Sequence, residues 1–143
     1  MRSHAMLPIA LLMIGAFAST SASEFRTQKP GMWEIRMQRT AGGKNVQGVR
    51  RVCMDAAEQA RAKQLGEDFA QKNCSKNVTT QEGNKQTNDM VCKTESGSFR
   101  EHSVTDFSSD NTYRTQTVVT FDLPQLSSTA TIDGKWVGAC KSG

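Results

Sequence analysis

Aromatic side chains make up only 6 % of this 143-residue chain, and apolar residues of every kind only 36 %. So small a supply excludes a large dry core, and a domain built from it needs covalent support. Histidine is scarcer still. Apart from His4 at the start there is only His102, beside Glu101 in a strand-like stretch, where it reads as a solvent-facing residue. Nucleophilic catalysis calls for a positioned base, most often histidine, and no G-x-S-x-G motif stands before a helix. No two cysteines form a close C-x-x-C pair of the kind structural zinc sites use; the nearest, Cys74 and Cys92, lie 18 residues apart. No apolar run reaches the roughly 20 residues that a bilayer span needs. Basic residues form no stripe, Arg50-Arg51 being the one adjacent pair, which argues against a nucleic-acid reader.

What is present begins with a leader. Arg2 and His4 make a short polar start, Leu7 to Ala18 is apolar, and Ala18 to Ser23 is small and hydroxylated. These are the three regions of a cleavable signal peptide. A transmembrane anchor is the competing reading, but the run is too short and Pro8 disfavours it. The expectation is a signal peptide over residues 1–23 and one domain over residues 24–143, a length that leaves room for no second domain. Loss of Arg2 leaves seventeen basic and fourteen acidic side chains, a mild net charge of +3.

All four cysteines, Cys53, Cys74, Cys92 and Cys140, follow the leader, and an even number in a small exported chain reads as a disulfide framework. Four cysteines allow three pairings, and spacing alone does not choose among them. Turn geometry favours one. Polar, threonine-bearing segments at 76–81 and 85–90 flank Glu82-Gly83-Asn84, and a three-residue loop there sets Cys74 opposite Cys92 in a hairpin. Cys53 and Cys140 are then left to bridge most of the mature chain, and long loops give the larger entropic stabilisation.

Along the chain, Trp33, Ile35 and Met37 alternate with Glu34, Arg36 and Gln38, the pattern of a half-buried strand. A turn at 41–44 leads to a second strand, 46–54, with Gly48 expected at a bulge. Asp55 and Glu58 fit a capping box before a helix over 56–71, whose weak apolar face is Ala57, Ala60, Leu65 and Phe69, with Gly66 as a possible early stop. After the 74–92 hairpin, strands are expected at 98–107, 112–122 and 128–132, then a turn at Asp133-Gly134 and a last segment, 135–140. Tyr113, Thr115, Thr117, Val119 and Phe121 share a face. The expected fold is α+β: an antiparallel β-meander of six or seven strands in a curved sheet, with one helix after the second strand and two disulfides.

Lys29-Pro30-Gly31-Met32-Trp33-Glu34, Val52-Cys53-Met54 before the helix, the two mid-chain cysteines and Gly134-Lys135-Trp136-Val137-Gly138-Ala139-Cys140 together resemble the exported bacterial proteins grouped as DUF3617. The resemblance spans most of the mature chain. Members usually carry a Gly- and Tyr-rich strand before the last segment, where this chain has Asn111-Thr112-Tyr113-Arg114-Thr115. The resemblance implies a periplasmic location in a Gram-negative bacterium, and it implies no reaction.

Candidate chemistry is sparse. The carboxylate pairs Glu67-Asp68 and Glu101 with Asp106 read more simply as surface acids, and Asp106, Asp110 and Asn111 as turn residues. Met32, Met37, Met54 and Met90 have strand spacing, which favours core packing over a soft-metal site. Asn77-Val78-Thr79 has the form of a glycosylation sequon that a bacterial periplasm normally leaves unused. Trp33 and Trp136 either cover the Cys53 to Cys140 bridge or line an apolar ligand groove. The functional expectation is a non-catalytic periplasmic binding or interaction domain, without cofactor or metal, that engages an envelope protein. The alternative is a carrier of a lipid or other small amphiphile. A hydrolase using distant carboxylates is a third reading, and it requires an acid pair gathered in a cleft.

Overall fold

Alternation along short segments becomes seven strands and one long helix in the computed structural model, which describes residues 26–141. The expected signal peptide, residues 1–23, lies outside the described residues. In chain order the elements are β1 (Gly31–Ala41), β2 (Lys44–Met54), α1 (Ala56–Asn73), β3 (Cys74–Glu82), β4 (Lys85–Thr94), β5 (Gly97–Ser109), β6 (Thr112–Phe121) and β7 (Ser128–Gly138), with a 3-10 turn at Pro124–Leu126. The strands form one open antiparallel sheet in the order β2-β1-β7-β6-β5-β4-β3. β3 to β7 is the expected meander; β1 then pairs with the free side of β7 and carries β2 to the edge.

The connection from β2 to β3 must cross from one edge of the sheet to the other. An 18-residue helix is about 27 Å long, close to the roughly 29 Å width of seven strands. Asp55 caps α1, its carboxylate accepting from the Glu58 N–H at 2.8 Å. The reciprocal half of the box does not form, because Glu58 turns to Arg61. The helix also runs through Gly66. Its cost of about 1 kcal/mol is offset by side-chain pairs that straddle it, Lys63 with Glu67 and Gln64 with Asp68.

Three local expectations are corrected. The β1–β2 register passes Gly48 without a bulge. The 74–92 hairpin turns on two residues, Gly83 and Asn84, with Glu82 opposite Lys85; an irregularity between Cys74 and Lys76 then restores Cys74 opposite Cys92. Asp133-Gly134 is no turn: β7 runs straight through it. Gly134 lies opposite Tyr113, and a Cβ there would stand 2.7 Å from Tyr113 Cδ1 and closer still to Cε1 and Cζ. The glycine makes room for a ring.

The disulfides are Cys53–Cys140 and Cys74–Cys92. The first joins β2 to the segment after β7, so it clamps the two neighbours of β1 across that strand. The core between these staples is thin, as the composition requires. Trp33, Phe107 and Tyr113 form its centre, with Ile35, Met54, Ile132 and Trp136 packed around them. Ring centroids lie 5.4 Å apart for Trp33 and Tyr113, and 6.3 Å apart for Phe107 and Tyr113.

Candidate functional site

Residues 26–30 lie as a strap across one end of the sheet, and both tryptophans hold it. Trp33 Nε1 donates to the Lys29 carbonyl at 2.8 Å, and Trp136 Nε1 to that of Pro30 at 3.1 Å. The Lys29 ammonium sits 3.7 Å above the Trp136 ring. Gly31 follows at φ +145°, where a Cβ would stand 2.6 Å from the Gly138 carbonyl oxygen and closer still to Trp136 Nε1. The Pro-Gly-Met-Trp sequence is thus a tight seat for one indole and the anchor of another. At the far end of the strap, the Arg26 guanidinium spans Asn84 and Asp110 at 2.8 and 2.7 Å and lies over the Phe107 ring.

Both tryptophans named as a groove lining hold the strap. Trp33 is 1 % exposed. It borders a cleft of about 290 Å³ against the strap, while Trp136 is half-buried under Lys29. The single tyrosine belongs to the same cluster. Burial raises the Tyr113 phenol above its usual range, with the Gln28 side chain and the charge of Arg50 pulling weakly the other way. A raised folded-state value means that this contribution to stability is complete below pH 10 and is lost as pH rises through the folded value. Phenolate absorbance is thus expected to develop above pH 10, together with loss of the near-ultraviolet circular dichroism; full titration near pH 10 in the folded state contradicts this burial.

The other candidates are scattered. His102 pairs with Asp89 across β4 and β5 at 2.8 Å on an exposed surface, which holds the Asp89 carboxyl below its ordinary range through that hydrogen bond. Glu101 and Asp106 are five residues apart on one strand and so point to opposite faces. Glu67 is taken by Lys63, Asp110 by Arg26, and Asn111 accepts from Lys29. Among the described residues no cluster of His, Cys, Asp and Glu could hold a metal ion.

Two larger depressions remain. One, about 680 Å³, lies over the middle strands and is lined by charged side chains, four of which pair with each other as Arg36–Glu34 and Arg114–Asp133. The other, about 420 Å³, lies between α1 and the sheet. Ala70 is the buried residue of α1, Gln59, Ala62 and Lys63 border this depression, and of the expected apolar face Leu65 and Phe69 stay 62 % and 38 % exposed. Opposite stand Gln86, Thr105, Thr115 and Phe107. The Thr105 and Thr115 hydroxyls are 2.8 Å apart. Gln59 Nε2 donates to the carbonyls of Gln28 and Met54 at 2.9 and 3.3 Å, and Gln86 Nε2 to Gln81 at 3.4 Å. Sequence reasoning missed this cavity. Its one signal was polar Thr115 and Thr117 sharing a face with Tyr113 and Phe121, where a packed sheet carries aliphatic residues.

Among the described residues no helix is long and apolar enough to cross a membrane, and two disulfides are the mark of a compartment outside the reducing cytoplasm. No curated protein and no solved structure matches the chain. The family model described as "Protein of unknown function (DUF3617)" matches residues 28–140. That match begins in the strap that the tryptophans anchor and ends on the cysteine that clamps β2 to the end of β7, so it takes in every element of the sheet, and the chain belongs to the DUF3617 family.

Proposed function

We propose that this chain is a non-catalytic binding domain of the bacterial periplasm, reached through the leader over residues 1–23, and that the face between α1 and the sheet is where it binds. One observation carries the reading. A helix crosses the full sheet yet leaves about 420 Å³ beneath it, where the amides of Gln28, Gln59 and Gln86 and the hydroxyls of Thr105 and Thr115 stand beside the apolar surface of Met54, Ala62 and Phe107, within the roughly 300–1,000 Å³ of ligand pockets. Thr105 and Thr115, opposite each other on β5 and β6, bring a pair of hydroxyls to the wall of this space. Departures from the local rule of apolar inward positions collect at functional sites.

The test fills the space. Ala62, on the helix wall of the cavity, is exposed and its replacement by Trp leaves every sheet hydrogen bond intact. The mature domain is incubated with envelope extract, repurified and weighed by native mass spectrometry. A retained mass on the wild-type protein that is missing on A62W is expected, with circular dichroism showing both folded. Equal retention by the two proteins, or none by either, overturns the reading.

A second reading, carriage of an amphiphile, draws on exposed apolar groups: Leu65 and Phe69 on α1, and Met37 at 40 %. The retained mass distinguishes the two, since an acyl chain is identified directly.

A further inference from the structure

We infer that the cavity under α1 takes a neutral, polyhydroxylated ligand of the saccharide class, an assignment that rests on the binding reading above. The lining decides the class through its unused donors and acceptors. When one hydroxyl of the Thr105–Thr115 pair donates to the other, the acceptor keeps its own proton, so the pair retains one O–H donor. Gln59 has both amide N–H bonds on backbone carbonyls and keeps Oε1 as an acceptor. Gln86 keeps Oε1 and one N–H after donating to Gln81. Donors and acceptors therefore alternate within one cavity, next to the apolar surface of Phe107 and Met54.

Hydroxyl groups, which donate and accept at once, match that mixture. An anion needs donors concentrated at one point, and the two cations at the rim are already engaged, Lys63 by Glu67 and Arg26 by Asp110. An acyl chain would cover the same amides and hydroxyls without partners, which is costly for each group buried. The alternating C–H and O–H faces of a sugar ring suit a wall that is part phenyl and part amide.

Maltose and chitobiose, the second carrying N-acetyl amides, are titrated against the nitrogen-15-labelled mature domain, with lauric acid as the amphiphile probe. Saturating shifts are expected for at least one disaccharide at the Thr105 and Thr115 amides and the Gln59 and Gln86 side-chain amides. The double variant T105V/T115V removes two hydroxyls at nearly constant shape, so its unfolding midpoint is expected to hold or rise while the dissociation constant rises about tenfold or more. Gln59→Leu is a second, independent variant with the same expected loss. Thr120→Val, exposed, five positions along β6 from Thr115 and so on the opposite face of the sheet, leaves affinity unchanged. Absence of cavity shifts with both disaccharides at millimolar concentration overturns the assignment. Lauric acid moving those signals in their place also overturns it, yet leaves the binding reading standing; a wild-type domain that retains no mass from envelope extract removes that reading as well.

Discussion

Gly134→Ala is expected to destabilise the domain by about 3 kcal/mol, the upper end of what overpacking a core costs. The added methyl would lie 2.7 Å from Tyr113 Cδ1 and closer to two other ring atoms. Tyr113 has no room to yield: its ring lies between Trp33 and Phe107, and Trp33 is pinned in turn by its bond to the Lys29 carbonyl. Gly134 cannot retreat either, because β7 is paired on both sides, with β1 and β6. Urea unfolding of four proteins checks the cause: wild type, G134A, Y113L and the double variant. If ring and methyl collide, the alanine penalty shrinks once the ring is gone, giving a coupling of about 1–3 kcal/mol. An unchanged penalty in the Y113L background places the glycine's role elsewhere.

Removal of the Cys53–Cys140 bridge is the second large effect. Its sequence separation is 87 residues, against 18 for Cys74–Cys92. In the chain-entropy account the longer loop contributes about 4.5 kcal/mol and the shorter about 3. Domains of this size are stable by roughly 5–15 kcal/mol in total, so C53S/C140S is expected to sit near the edge of unfolding, while C74S/C92S remains folded with a lowered midpoint. Geometry adds to the difference. The long bridge clamps both neighbours of β1, the strand that holds Trp33 in the core, whereas the short one repeats a constraint that the β3–β4 hairpin already imposes. Equilibrium unfolding of both serine pairs provides the comparison, and equal losses, or a larger loss from C74S/C92S, contradict it.

Much of this fold was legible because its signals are local. The alternation of Trp33, Ile35 and Met37 marks β1, and Asp55 marks the start of α1 at the residue where the helix is capped. The Cys74–Cys92 pairing was legible as well, though its mechanism differs: a two-residue turn and a later irregularity stand where a three-residue loop was expected. Both routes bring the same residues together, since one extra residue shifts the register equally in the turn or in the strand.

Gly134 shows where such reading stops. A glycine after aspartate is a turn signal, and a glycine that admits an aromatic ring has the same letter. Only the neighbouring strand, with Tyr113 twenty-one residues earlier in the chain, tells them apart. The helix face shows the same limit. Leu65 and Phe69 are the large apolar residues of α1, but both stay exposed and the residue the helix buries is Ala70, because the path from edge to edge fixes how it lies.

The sequence by itself determined the strands β1 to β6, the capped start of the helix, the cysteine pairing and the need for staples in a chain with few aromatics. All of these follow from backbone geometry and side-chain periodicity over about ten residues, or from composition. The tertiary structure alone decided that β1 lies between β2 and β7, that both tryptophans serve the strap, and that a cavity with amide, hydroxyl and apolar walls stays open beneath α1. Those features bring together Gln28, Gln59, Gln86, Thr105 and Thr115, groups separated by as many as 87 positions, and a volume enclosed by several elements has no signature in any one of them.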